Sequence, residues 1–397
     1  MIKEEARRLQ PQLVEWRRYL HRFPEVALDT PKTQQFIKEQ LEKMGIEVRF
    51  PVGKNGLVGL LKGGKPGKTF AIRADVDGLR MKEETGLPFS SENPDAFHGC
   101  GHDGHMAMAL GAAKILSSHR DQIHGAVKFL FQPGEEGPGG AKPMIEDGAM
   151  ENPKVDAVVG AHMGGIWPSL KTGQIGISFK PMFACLDKIT VKVKGKGGHG
   201  AAPHETVDAI SLAAHAYVTL QTIVSREIKP VEPVVVTIGK FHGGTAYNII
   251  PEVVELEGTV RTFDQKLRET LAKRIGEIFN GVVGAMRGSC EYEYHFGYPP
   301  LVNDPQFTQE FRELASEIVG PENVVEVPEP TMGGEDMAYF LQQAPGTFFF
   351  LCSHNRGKGI VYPHHHPKFD IDEDVLWIGA AVFAHVALSW LSRHAQG

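Results

Sequence analysis

Four short segments of this 397-residue sequence carry side chains whose types and spacing could do chemistry together. The first is His98-Gly99-Cys100-Gly101-His102-Asp103-Gly104-His105, with three histidines, a cysteine and an aspartate inside eight residues. Imidazole, thiolate and carboxylate form the ligand set of zinc and its neighbours. Glycines between them allow sharp backbone turns, so the side chains can converge. The second is Gln132-Pro133-Gly134-Glu135-Glu136-Gly137, after an apolar run. Adjacent carboxylates suit a division of labour, one binding metal and the other taking a proton from the attacking water. The third is Gly160-Ala161-His162-Met163, again directly after an apolar run, and the fourth is His364-His365-His366-Pro367 ahead of Phe369-Asp370. Singly, each has a plainer reading: a polar helix start, a solvated acid pair, a structural histidine, an exposed loop. Together they supply enough ligands for two metal ions, which at a separation of about 3.5–4 Å can share a water and polarise a carbonyl.

These segments need a scaffold, and the sequence pattern describes one. Helical spacing of apolar residues predicts helices over 3–20, 33–44 and 104–118. Short apolar runs at 56–61, 69–74, Val127–Phe131 and Val155–Ala161 predict strands. The alternation predicts an α/β domain, a central sheet flanked by helices, with sites in loops at the carboxyl ends of strands. Near residue 185 the pattern changes. Ile189, Val191 and Val193 alternate with Thr190, Lys192 and Lys194, as in an antiparallel strand with one wet face. A helix at 205–225, strands at 233–241 and 252–262, a helix at 266–286 and a strand at 290–295 complete a β-α-β-β-α-β order, the ferredoxin-like α+β arrangement. The expected organisation is therefore a large domain over 1–183 and 298–397, interrupted by a small one over 184–297.

Composition narrows the function class. The net charge of −6 argues against a nucleic-acid binder, which needs a basic face. The charged N-terminus lacks a signal-peptide core, and Val375 to Leu391, broken by His385, reads as a buried helix rather than a membrane span. Four cysteines without a CxxC pair are too few for a disulfide framework, so a reducing cytoplasm is expected.

The set HGCGHD, QPGEEG, GAHM and HHHPKFD resembles the dinuclear metallo-amidohydrolases that include aminoacylases, hippurate hydrolases and plant indole-acetyl-amino acid hydrolases. The resemblance runs from Leu20-His21-Arg22-Phe23-Pro24-Glu25 to the terminal helix. It implies a catalytic α/β domain with an inserted ferredoxin-like lid or dimerisation domain. It also implies two divalent ions per subunit, zinc first, with manganese, cobalt or nickel open. By residue, it implies Cys100, His102, Glu136, His162 and His365 as metal ligands, Cys100 bridging, and Glu135 as general base. In the lid, His199 of Gly198-His199-Gly200 matches a histidine that in some relatives reaches an active site across a dimer interface, where it can stabilise an oxyanion. Asn248 and Arg261 match residues that hold the substrate carboxylate, a task that suits the guanidinium fork.

The implied activity is hydrolysis of N-acyl-L-amino acids, by a homodimer or homotetramer with neither nucleic-acid nor membrane partners. Rivals are a dipeptidase, a carboxypeptidase or an N-acyl-diaminopimelate deacetylase, a non-catalytic metal or amino-acid binder, and a thiol hydrolase using Cys100. Other matches carry no assigned chemistry. Asp75 and Asp77 either support the site or cap a turn, Glu335 and Asp336 are explained by a helix dipole, and His21 and Glu25 have no evident role. Asp29 stands where relatives often carry Glu.

Overall fold

The computed structural model describes residues 1–395 and divides into two compact units. The large unit comprises Met1–Met182, Val302–Pro330 and the chain from Asp336 onward, and the small unit Phe183–Leu301 with Thr331–Glu335. The junctions thus fall at 182/183 and 301/302, not at 183/184 and 297/298. Thr331–Glu335 groups with the small unit because Ala184 N–H donates to the carbonyls of Thr331 and Gly333.

The large unit is built on a mixed eight-stranded sheet. Its order is Glu47–Val52, Gly56–Lys62, His124–Gln132, Lys65–Asp75, Ala157–Gly164, Gly346–Cys352, Ile175–Ile177, Val324–Glu326. The four middle strands run parallel, so their carboxyl ends share one edge. Strand Gly346–Cys352, all buried, belongs to this group although the pattern above did not single it out. Helix His102–Ser118 buries all but three of its 17 residues. It lies between helices Ile2–Arg22 and Leu376–Arg393, and a Cβ at Gly111 would stand 2.6 Å from Leu13 and 2.8 Å from Ala380. The terminal helix is apolar enough to span a membrane by length and composition, but 72% of its apolar window is buried inside the unit. It is a core helix, as its interruption by His385 suggested.

The small unit has the ferredoxin-like order. Strands Val234–Gly243, Val253–Thr262, Leu186–Lys194 and Ser289–Tyr298 lie side by side in that sequence, all antiparallel. Ile189, Val191, Val193, Val254, Leu256 and Val260 point to one face and pack with helices Ala209–Thr222 and Gln265–Ala285. The opposite face carries ion pairs such as Lys188–Glu257 and Lys192–Glu255. Val234–Gly243 is an edge strand with its outer backbone groups unpaired within the sheet.

Candidate metal centre and active site

The four sequence segments meet at the carboxyl edge of the parallel strands. Lys65–Asp75 leads into Asp77, His124–Gln132 leads into Glu135 and Glu136, and Ala157–Gly164 carries His162. Helix His102–Ser118 begins on His102 itself. Between Cys100 and His102, Gly101 takes φ +85°, a left-handed turn that glycine adopts without penalty. That turn aims both neighbours at one point. Cys100 Sγ lies 3.4 Å from His162 Nε2. Glu136 Oε1 lies 3.1 Å from His365 Nε2 and 3.9 Å from His102 Nε2. Among the described residues of the large unit, four trios place one ligand atom per residue within 4.8 Å of one another: Cys100, His102 and His162; Cys100, Glu136 and His365; His102, Glu135 and Glu136; and Asp75, His102 and His105. Cys100 belongs to two of these trios and His102 to three.

Hydrogen bonds decide which imidazole nitrogens are available. His102 Nδ1 donates to the Asp77 carbonyl at 2.8 Å, and its Nε2 is buried with no hydrogen-bond partner. His162 Nδ1 donates to the Met163 carbonyl at 2.9 Å, leaving Nε2 to face Cys100. Such second hydrogen bonds fix the tautomer and orientation of metal-ligating histidines. His105 uses both nitrogens. Nδ1 donates to Asp75 Oδ1 at 2.6 Å and Nε2 accepts the Met163 N–H at 2.9 Å. In the triple histidine, His364 Nε2 donates to the Met163 carbonyl and His366 Nδ1 accepts the Lys368 N–H. His365 is the one of the three that turns a nitrogen to Glu136. It does so from φ 64°, held by its N–H donating to the Gly99 carbonyl at 2.9 Å. A left-handed non-glycine residue costs on the order of 1–3 kcal/mol and persists where its surroundings demand it.

The paired glutamates are held from behind. Asp77 Oδ1 accepts the Glu135 N–H at 2.9 Å and Oδ2 accepts the Glu136 N–H at 3.1 Å. Asp77 therefore supports both carboxylates and, through its carbonyl, His102. Fully buried Arg73 bonds Asp75 Oδ2, Gln132 Oε1 and Asp336 Oδ1, at 2.8, 2.9 and 2.9 Å. Asp336 Oδ2 also accepts the N–H groups of Gly140 and Ala141, both at 3.0 Å. A helix dipole does not by itself account for Asp336. It stands before helix Met337–Leu341 but makes no side-chain bond to it. It fastens the far end of the loop that carries Glu135 and Glu136. Adjacency in sequence hid this role, since Arg73 and Asp336 are 263 residues apart. Glu25, also unassigned above, accepts the N–H groups of Lys32 and Thr33 at the start of helix Pro31–Lys43.

The electrostatics favour a cation here. Burial opposes charge on His102, but Asp75, Asp77 and Glu136 outweigh it and push the imidazole up to about 10. Burial and the two glutamates hold the Cys100 thiol well above its ordinary range. Burial together with His105 and His364 keeps His162 well below its own, so it is neutral and ready to bind. A pocket of carboxylates that raises an imidazole this far has a field that would attract a divalent ion, which His102 Nε2 could help hold. The donor set, the unpartnered Nε2 and this field all fit metal.

The lid residues present a different picture. His199 and Ile249 pair across a two-residue ladder, and the Asn248 carbonyl accepts the Gly200 N–H. His199 and Asn248 are thus brought together, both exposed. Arg261 is half-buried on strand Val253–Thr262. Its guanidinium bonds the Thr259 hydroxyl and the Val260 carbonyl, and among the described residues no carboxylate pairs with it. The structure does not bring Arg261 to the other two. Val253 is in register with Lys194, near the His199 end, and Val260 with Asp187, at the opposite end. At about 3.3 Å per residue, Val253 and Arg261 are separated by roughly 26 Å.

Comparisons with known proteins agree with this geometry. Residues 71–389 match peptidase family M20/M25/M40. Thermostable carboxypeptidase 1 of Saccharolobus solfataricus is 40% identical over 396 residues, 99% of this chain and 98% of its own. The N-acyl-L-amino acid amidohydrolase of Geobacillus stearothermophilus is 45% identical over 309 residues, 76% of this chain and 82% of its own. The crystal structure of the YXEP protein of Bacillus subtilis, described as a dinuclear metal binding peptidase from the M20 family, is similar with a TM-score of 0.84 and 31% identity, covering 97% of this chain and 98% of that one. Candidate ligands at the strand ends, a paired-glutamate loop and these matches lead to one conclusion: the chain belongs to peptidase family M20/M25/M40 and is a metal-binding hydrolase.

Proposed function

We propose that this enzyme hydrolyses the amide bond of N-acyl-L-amino acids, with N-acetyl or aromatic acyl groups, releasing a free amino acid and a carboxylic acid. The observation that carries this reading is Glu135. It is buried, its backbone is fixed by Asp77, and it forms one trio with His102 and Glu136. A binding protein needs ligands but no such base. Cys100, His102 and His162 would hold one divalent ion and Cys100, Glu136 and His365 another, zinc being the first candidate, and these supply Lewis acidity toward the carbonyl and the water. Glu135 takes a proton as that water attacks the amide carbon. It returns the proton to the nitrogen as the C–N bond breaks, so the amine leaves neutral. His199 donates to the oxyanion, and Asn248 and Arg261 hold the carboxylate of the amino acid.

Arg261 lies roughly 26 Å along its strand from Val253, which stands at the end nearer His199 and Asn248, a span longer than a small substrate. We therefore assign Arg261 and the His199–Asn248 pair to different active sites, within a homodimer or a larger even assembly. The open edge of Val234–Gly243 and the exposed side chains of Phe241, Tyr247 and Ile249 support contact with a second copy. A carboxypeptidase reading is favoured by the near full-length match to a protein of that name. Both reactions share the base and the carboxylate grip.

The test is amine release from a panel of N-acetyl, N-benzoyl and dipeptide substrates, before and after chelation, with zinc, manganese and cobalt restored singly. The expected result is chelator-sensitive activity that is highest on an N-acyl amino acid. Preference for dipeptides or longer peptides would favour the carboxypeptidase reading. Activity untouched by chelation but lost on alkylation would move the chemistry to the Cys100 thiol.

A further inference from the structure

Arg17 stands on helix Ile2–Arg22, outside every segment given a role above, yet it is 1% exposed. Its guanidinium reaches three carboxylates. Nε donates to Asp103 Oδ2 at 2.7 Å, Nη2 to Asp370 Oδ1 at 2.8 Å, and Nη1 to Glu373 Oε1 at 3.2 Å. Asp103 is the residue after His102, and Asp370 follows His365 by five residues. One side chain therefore joins the helix that begins at His102 to the segment that carries His365. His21, one turn along the same helix, adds a second contact, Nδ1 to Asp103 Oδ2 at 2.7 Å, and reaches Glu83 Oε1 with Nε2 at 3.3 Å. Phe89 lies against the guanidinium, 5.0 Å from ring centroid to Cζ.

We propose that Arg17 is a positioning residue of the metal centre, setting the spacing of the His102 and His365 imidazoles on either side of Glu136. The inference rests on the reading that those two histidines are ligands. A packing role alone would be met as well by an apolar side chain, because burying charge carries a desolvation cost. What Arg adds is direction, since its planar fork fixes the angles at which the carboxylates approach. Both segments are anchored to the first helix through the carboxylates of residues next to, or close after, a candidate ligand. A loosened anchor shifts the ligand even where the fold survives.

The test compares metal-free wild type with Arg17→Met and Asp370→Asn. Cobalt and zinc are titrated against a chelating dye, the cobalt absorption spectrum is recorded, and the metal-free proteins are melted. Loss of groups that orient a ligand typically lowers metal affinity about 10–100-fold. That fall is expected for Arg17→Met, with an altered cobalt spectrum and a smaller fall for Asp370→Asn, which breaks one arm only. A lower metal-free Tm with wild-type affinity and spectrum would overturn the proposal, leaving Arg17 a structural residue. If Arg17→Met does not fold, Asp370→Asn decides by the same readouts. Wild type that binds no cobalt would remove the ligand reading itself, and this proposal with it.

Discussion

The strand-end cluster of the large unit and the lid residues of the small unit are built to opposite rules. At the strand ends Asp75, Asp77, His102, Asp103, His105, Glu135 and His162 are all buried. Their neighbours fix ring tautomers and backbone positions over distances of 2.6–3.1 Å. In the small unit His199 and Asn248 are exposed, and among the described residues the Arg261 guanidinium hydrogen-bonds a hydroxyl and a carbonyl but no carboxylate. The contrast follows from what each region must do. Groups that share an ion have to be fixed against one another to within fractions of an ångström, which only a common rigid scaffold provides. Groups that grip a substrate need only arrive, and can come from a separate body.

Glu135→Gln tests the fixed region most severely. Removing the base should cut kcat by about 10²–10⁴-fold while metal content and Tm stay near wild type. Near-normal turnover would show that Glu135 is not the base. His199→Ala should cost about 10²–10³-fold in kcat, the usual loss for one oxyanion donor, with no effect on metal content. Mixing the two variants sharpens the comparison further. If His199 serves a second copy, half of the re-formed dimers are mixed and each contains one intact site, so roughly a quarter of wild-type activity returns. No recovery after confirmed subunit exchange would place His199 at its own copy's site.

The two regions were also unequally legible in the sequence. The ferredoxin-like unit could be read from period-2 alternation, because Ile189, Val191 and Val193 report burial directly to the eye. The ligand candidates could be read because Cys100, His102, Glu136, His162 and His365 are chemically distinctive residue types. Support by Asp77 was legible as one of two readings, but Arg73 and Asp336 look like ordinary charges until the fold pairs them across 263 residues. Strand Gly346–Cys352 is a short apolar run of the same kind as those read as strands, so its sequence carries the same signal. The separation of Arg261 from His199 was invisible, as it depends on strand register and not on residue type.

The supports of the glutamate loop make the next prediction. Asp77→Asn keeps one acceptor oxygen but turns an NH₂ group toward the second N–H of the Glu135–Glu136 pair. A buried N–H left unsatisfied costs about 1–3 kcal/mol, so Tm should fall. Activity or metal affinity should drop about 10–100-fold as the loop loosens. A variant with lower Tm but unchanged kcat and metal affinity would mean that the loop holds its shape without Asp77.

The smallest expected effect belongs to Arg261, and it separates substrate contact from strand packing. Arg261→Lys keeps the positive charge and loses the two-pronged geometry that suits a carboxylate. If Arg261 grips the substrate before and during reaction alike, KM should rise about tenfold with kcat within twofold, the pattern of lost uniform binding. The comparison substrate is an N-acyl amine with no carboxylate, which wild type and variant should cleave equally well. An Arg261 that only stitches Thr259 and Val260 within its strand would instead show an altered Tm, with KM unchanged on both substrates.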